Sequence, residues 1–156
     1  MIRVISIGKT NVDFVSDGLR IYLDRLKHYT KIEWLELPDI KKVDKNDKEQ
    51  LKEKEGLVIL DQIQSTDQLI LLDENGKPVS SKGLAKKVEE HQLYGSGDLV
   101  FLIGGAYGFS DAVYQRANQK VSLSAMTFTH QMARLILIEQ IYRAFTIIRG
   151  EPYHHS

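Results

Sequence analysis

The stretch that decides the fold is SLSAMTFTHQMARLILIEQIYRAFTIIRGEPYHHS, Ser122 to Ser156. It opens with small, hydroxyl and apolar residues. From Leu123 to Phe128 it carries no charge and little bulk, so the backbone amides and carbonyls there are free to face a ligand. From about Thr129 to Arg149 the pattern is helical. Met132, Leu135, Ile138, Ile141, Tyr142, Phe145 and Ile148 recur at steps of three and four and form one apolar stripe. Thr127 or Thr129 supplies a cap for the first amides. Gly150 suits the left-handed position past the last turn, and Pro152 forbids continuation. A helix this long and apolar needs a surface to lie on, either its own sheet or a second subunit.

Working outward, strand-like runs occur at Ile2–Ile7, Ile32–Leu37, Leu69–Leu72, Leu99–Ile103 and, more weakly, Lys120–Leu123. Helical patterns fill the gaps: Val12 to Lys27, Asp47 to Ile63 with Gly56 as a weak point, one capped by Ser80 or Ser81, and a short one capped by Ser110. Strands alternating with helices predict an α/β fold with a mostly parallel sheet and helices on both faces. Runs such as LILL and LVFLI are apolar without alternation, as strands covered on both faces must be. Asp73-Glu74-Asn75-Gly76 predicts a turn, with Gly76 at positive φ. No linker divides the chain, so residues 1–156 read as one domain.

The composition is that of an ordinary globule: 42% hydrophobic, 27% charged, with 21 basic and 21 acidic residues and a formal net charge of zero. A chain of 156 residues is long enough to bury roughly 68–70% of its unfolded surface. The absence of cysteine excludes disulfides, thiolate nucleophiles and cysteine-zinc sites. The apolar start is too short for a signal peptide, and no run approaches the ~20 residues of a membrane span, so the cytoplasm is the expected location. The neutral balance argues against non-specific coating of nucleic acid but leaves room for a local basic patch. The mixed-sign segment Lys41 to Glu55 reads as a solvated face.

Two glycine loops invite a ligand. Phe101 to Gly108 runs a strand into three glycines before Ser110, and ligands of parallel sheets sit beyond the carboxyl ends of strands. The spacing is not the dinucleotide fingerprint. Gly8-Lys9-Thr10 ends like a phosphate loop, but Arg3 stands where the first glycine belongs. On the last helix, Glu139 and Arg143 are four apart and face each other. His154 and His155 are too few for a metal site.

Taken together, Ile103-Gly104-Gly105-x-x-Gly108, Leu123 to Phe128, His130 with Arg134, Glu139-x-x-Tyr142-Arg143-Ala144 and Pro152-Tyr153-His154 resemble the SPOUT, or α/β-knot, methyltransferases over nearly the whole chain. The resemblance implies a trefoil knot, roughly over 69–156. It also implies a homodimer with the last helix at its interface, and S-adenosylmethionine held by Leu72, Gly104, Leu123, Ser124, Ala125, Met126, Thr127 and Phe128. The implied activity is N3-methylation of a pseudouridine in 23S rRNA of the assembled ribosome, without a metal; a related enzyme acting on tRNA is the alternative. His154 is the expected proton acceptor. Tyr153 and Arg143 then orient the base or stabilise its anion, and Glu139 serves as second base or as partner of Arg143. Lys9, Arg20, Arg25, Lys27 and Arg134 are expected to line an RNA groove completed by the other subunit.

Overall fold

A computed structural model describes residues 1–40, 47–105 and 107–153. Among these, strands and helices alternate strictly: β1 Ile2–Ile7, α1 Asp13–Leu26, β2 Ile32–Leu37, α2 Lys48–Asp61, β3 Gln68–Pro78, α3 Ser81–Tyr94, β4 Leu99–Ile103, α4 Asp111–Arg116, β5 Gln119–Ser122 and α5 His130–Ile148. The strands form one parallel sheet in the order β2-β1-β4-β3-β5. Every residue of β1 and β4 is buried, which is why these central strands carry no polar alternation. Val15, Leu19, Leu84, Val88, Ile138 and Phe145 place α1, α3 and α5 on one face. Ile59 and Val113 place α2 and α4 on the other.

The helix starts follow the hydroxyl and carboxylate caps. Asp47, Ser80, Ser110 and Thr129 each accept a hydrogen bond from the amide three residues on. Gly150 ends α5 at φ +67°, a conformation costly for any residue with a Cβ. The apolar stripe of α5 is broader than its sequence pattern. Leu137, Ile138, Ile141, Ala144 and Phe145 are buried, while Met132, Leu135, Tyr142 and Ile148 are half-buried flanks. One flank meets α1, where a Cβ on Gly18 would lie 2.6 Å from Leu135. The other meets α3, where Ser81 donates to Gln140 at 2.6 Å. Gly56 is not a weak point in α2. It is buried where α2 crosses α4, and a Cβ there would strike the Ser110 hydroxyl.

Two expectations need correction here. The strand expected to end at Leu72 continues to Pro78. Leu72 and Lys77 both pair with Val121, so the residues between them leave the ladder as a bulge. Gly76 is not at positive φ. Glycine is required there because a Cβ would lie 2.7–2.9 Å from the backbone of Val121 and Lys120. Of the segment expected to form a solvated face, residues 41–46 lie outside the described part of the chain.

Candidate active site

The bulge shapes the site. Leu72 to Asn75 belong to the bulge within β3, whose neighbours in the parallel sheet are β4 and β5. Gly104, Gly105 and Tyr107 to Phe109 follow the carboxyl end of β4, and Ser122 to Phe128 run on from that of β5. These three segments, with His130 and Ala133 from the first turns of α5, enclose a cavity of about 380 Å³. That falls within the ~300–1,000 Å³ typical of small-molecule sites.

Local bonds hold the walls. The Asn75 amide donates to Asp73 Oδ1 at 2.9 Å, which closes the bulge on itself. The Tyr114 hydroxyl donates to Asp73 Oδ2 at 2.6 Å and ties the bulge to α4. Burial, and then that bond, push the Tyr114 hydroxyl up to about 12, so it stays protonated as a donor. In the third turn the Ser122 hydroxyl donates to the Ser124 carbonyl at 2.9 Å, and the Met126 amide to the Ser124 hydroxyl at 2.9 Å. At the strand end a Cβ on Gly104 would lie 2.9 Å from the Phe109 ring, so glycine lets β4 turn tightly under the cavity floor. Asp73 and Glu74 bring carboxylates to one side; the third turn brings no charge.

Of the residues expected to hold a cofactor, Leu72, Gly104, Leu123, Ser124, Met126, Thr127 and Phe128 line this cavity. Ala125 is exposed and is not among the lining residues. Tyr114 and Ala133 had no sequence signal. They are contributed by helices whose faces are chosen by packing.

The expected catalytic residues stand elsewhere in the chain. Glu139 Oε1 accepts from Arg143 Nη2 at 2.6 Å, Arg143 Nε at 3.1 Å and the Tyr153 hydroxyl at 3.0 Å. Tyr153 also meets the Tyr22 hydroxyl at 3.2 Å, packs edge-on to Tyr142 and lies under the Arg143 guanidinium. Burial, then bonds to Tyr22 and Glu139, raise the Tyr153 hydroxyl, so it is a neutral group suited to orienting rather than accepting a proton. Arg143 is held charged by Glu139. None of the three lines the cavity. Glu139 is six residues beyond Ala133, about 9 Å along α5 at ~1.5 Å per residue. His154 and His155 lie outside the described residues.

The expected RNA-facing residues divide. Lys9, Arg20, Arg25 and Lys27 are exposed. Arg20 pairs with Asp17 at 2.6 Å, Lys27 with Asp24 at 3.2 Å, and Arg25 lies over the rings of Tyr22 and Tyr142. Arg134 is a correction: it is 3% exposed and faces inward. Its guanidinium donates to the carbonyls of Ile7 and Gly8 and to the Thr10 hydroxyl, and it lies 3.5 Å from Glu36. Burial alone would raise the Glu36 carboxyl, but bonds from Thr10 and Trp34, with Arg134 nearby, hold it below its ordinary value. Arg134 therefore cannot reach a groove on the surface.

A parallel α/β sheet with a cavity assembled from the β3 bulge and the turns after β4 and β5 is the class that the geometry defines. The family model described as "Predicted SPOUT methyltransferase" matches residues 1–154, and the chain belongs to that family. Among its relatives, "Ribosomal RNA large subunit methyltransferase H" of Flavobacterium johnsoniae is 51% identical over 155 residues, 99% of each chain. The protein of that name from Christiangramia forsetii is 49% identical over 154 residues, 99% of this chain and 98% of its own. The one from Enterococcus faecalis is 44% identical over 156 residues, 98% of each. The resemblance drawn from the motifs is thus borne out. Among the described residues, no helix is long and apolar enough to cross a membrane, and no group of three or more His, Asp or Glu could hold a metal ion.

Proposed function

We propose that the protein methylates N3 of a pseudouridine in 23S rRNA of the assembled ribosome, using S-adenosylmethionine, in the cytoplasm and as a homodimer. In this reading residues 1–156 are one domain, knotted roughly over 69–156. The observation that carries it is the meeting of the turns after Leu72, at Gly104 and from Leu123 around one cavity. The residues suit the cofactor. The uncharged third turn offers backbone groups to a nucleoside, and Asp73 and Glu74 suit a ligand bearing positive charge.

Bound S-adenosylmethionine supplies a methyl group that is already activated. The protein's share is alignment of the acceptor nitrogen and removal of its proton. Leu72, Gly104, Leu123, Ser124, Met126, Thr127 and Phe128 hold the cofactor, and Ala125 spans the turn between Ser124 and Met126. His154 takes the proton, with Tyr153 and Arg143 orienting the base and Glu139 fixing both. Because Glu139, Arg143 and Tyr153 do not line the cavity of their own chain, a second copy delivers the catalytic set. That assigns the dimer a chemical role. Lys9, Arg20, Arg25 and Lys27 contact the RNA. The Asp17 and Asp24 pairings leave that face only weakly positive.

The test is methyl transfer from labelled cofactor to 70S ribosomes that contain or lack the pseudouridine, with tRNA as a parallel substrate. Transfer only to pseudouridine-containing ribosomes supports the reading. Transfer to tRNA alone replaces it with the tRNA alternative.

A further inference from the structure

A second groove borders the cavity on the β5 edge of the sheet. It is lined by Lys77 and Val79 after the bulge, Gly83, Lys86, Lys87 and Glu90 of α3, and Lys120 with Val121 of β5. Its volume is about 650 Å³. Four lysines stand there against one glutamate, in a chain of zero net charge. Glu90 offsets little, since its contact with Lys86 is 3.9 Å long and both are exposed. Lys87 donates to Gln119 at 2.5 Å, and Lys120 lies over the Tyr114 ring. These two are held in place, while Lys86 has 76% of its side chain in solvent.

The groove and the cavity share a wall. Asn75 and Ser122 line the cavity, while Lys77 and Val121 line the groove and pair with each other. Lys77 is two residues past Asn75, within about 7 Å at ~3.4 Å per residue. Tyr114, under Lys120, is itself a cavity residue.

We infer that this groove grips the phosphate backbone of the RNA beside the target nucleotide. A substrate base that reaches the cavity arrives attached to a chain of phosphates, and those phosphates must leave over the rim. Lysines are flexible point charges, suited to backbone phosphates whose position varies, and they carry no sequence preference. By contrast, the groove on α1 carries Arg20 and Lys27 against Asp24 and Glu36 and has no net charge. The inference rests on the proposal of an RNA substrate but uses none of its catalytic residues.

The test is the double variant Lys77→Gln/Lys86→Gln in the full chain. Binding to 70S ribosomes, to protein-free 23S rRNA and to oligouridylate is measured against salt concentration. Losing two phosphate contacts lowers the slope of log affinity against log salt by about 1.4 to 1.8 on all three probes. Affinity for S-adenosylmethionine stays unchanged, and Lys77→Arg/Lys86→Arg restores the slope. An unchanged slope in a folded variant overturns the inference while leaving the proposed activity intact. A loss confined to whole ribosomes overturns it in favour of an acidic protein partner. Failure of the native chain to transfer methyl, with the slope effect present in the variant, sinks the proposed activity and leaves the groove standing.

Discussion

Arg134 and Gly8 lie 126 residues apart in sequence, yet Arg134 Nη1 donates to the Gly8 carbonyl at 3.0 Å. The same guanidinium reaches Ile7 and Thr10, so the second turn of α5 is fastened to the end of β1. Ala133, the preceding residue, lines the cavity. A buried charge with four oxygen neighbours is therefore what sets the position of one cavity wall.

Replacing Arg134 by Met removes that fork and takes a buried donor from the Ile7 and Gly8 carbonyls, while Glu36 keeps its bonds from Thr10 and Trp34. Leaving a buried acceptor without its donor costs about 1–3 kcal/mol. Arg134→Lys loses less, since it keeps the charge but not the planar fork. Urea unfolding measures both. Equal stability of the Met variant and the native chain would contradict this account.

Gly76→Ala forces a Cβ against the backbone of Val121 and Lys120. Backbone has little room to yield, so the bulge must shift or β5 must separate. Overpacking of this kind costs about 1–3 kcal/mol. Faster hydrogen exchange at Val121 and Ser122 accompanies the loss, and calorimetry shows weaker cofactor binding as the rim moves.

Tyr29 donates to Glu151 Oε2 at 2.7 Å, and this bond, then burial, push its hydroxyl up from 10.0 to about 12. The folded chain thus holds the proton more tightly than the unfolded chain. The resulting stability is complete below pH 10.0 and is lost as pH rises through about 12. Glu151→Gln removes the main cause and moves the loss toward the lower end of that window. Ultraviolet titration of Tyr29, with Tyr29→Phe as the blank, follows it directly.

The proposed division of the active site between two chains predicts complementation. A chain with its cavity blocked, Gly104→Trp, and a chain lacking the tail groups, Tyr153→Phe/His154→Ala, are each inactive alone. Mixed dimers regain one working site. Random assortment of a two-fold dimer then yields about one quarter of native activity. No recovery after verified subunit exchange places both sets of groups in a single chain.

The local periodicities were enough for the elements themselves. β1, β2 and β4 begin and end where the apolar runs do, and Ser80, Ser110, Thr129 and Gly150 mark helix ends. These are short-range effects, written within a few residues of one another. The loops at Gly104 and Leu123 were legible for the same reason: each ends a strand, and strand ends of a parallel sheet gather on one side, whereas Leu72 begins a bulge within β3.

What the sequence determined alone was therefore the alternation of strands and helices, the parallel sheet and the side on which the cavity opens. The order of the strands, the inward turn of Arg134 and the bulge at Gly76 were decided only in three dimensions. So was the distance between the cavity and Glu139, Arg143 and Tyr153. Each depends on contacts between residues far apart in the chain. Arg134 looks like a surface cation until the carbonyls of β1 lie within its reach. Gly76 looks like a turn glycine until the β5 backbone passes against it. Burial and close approach belong to the packed molecule, and no spacing along the chain encodes them by itself.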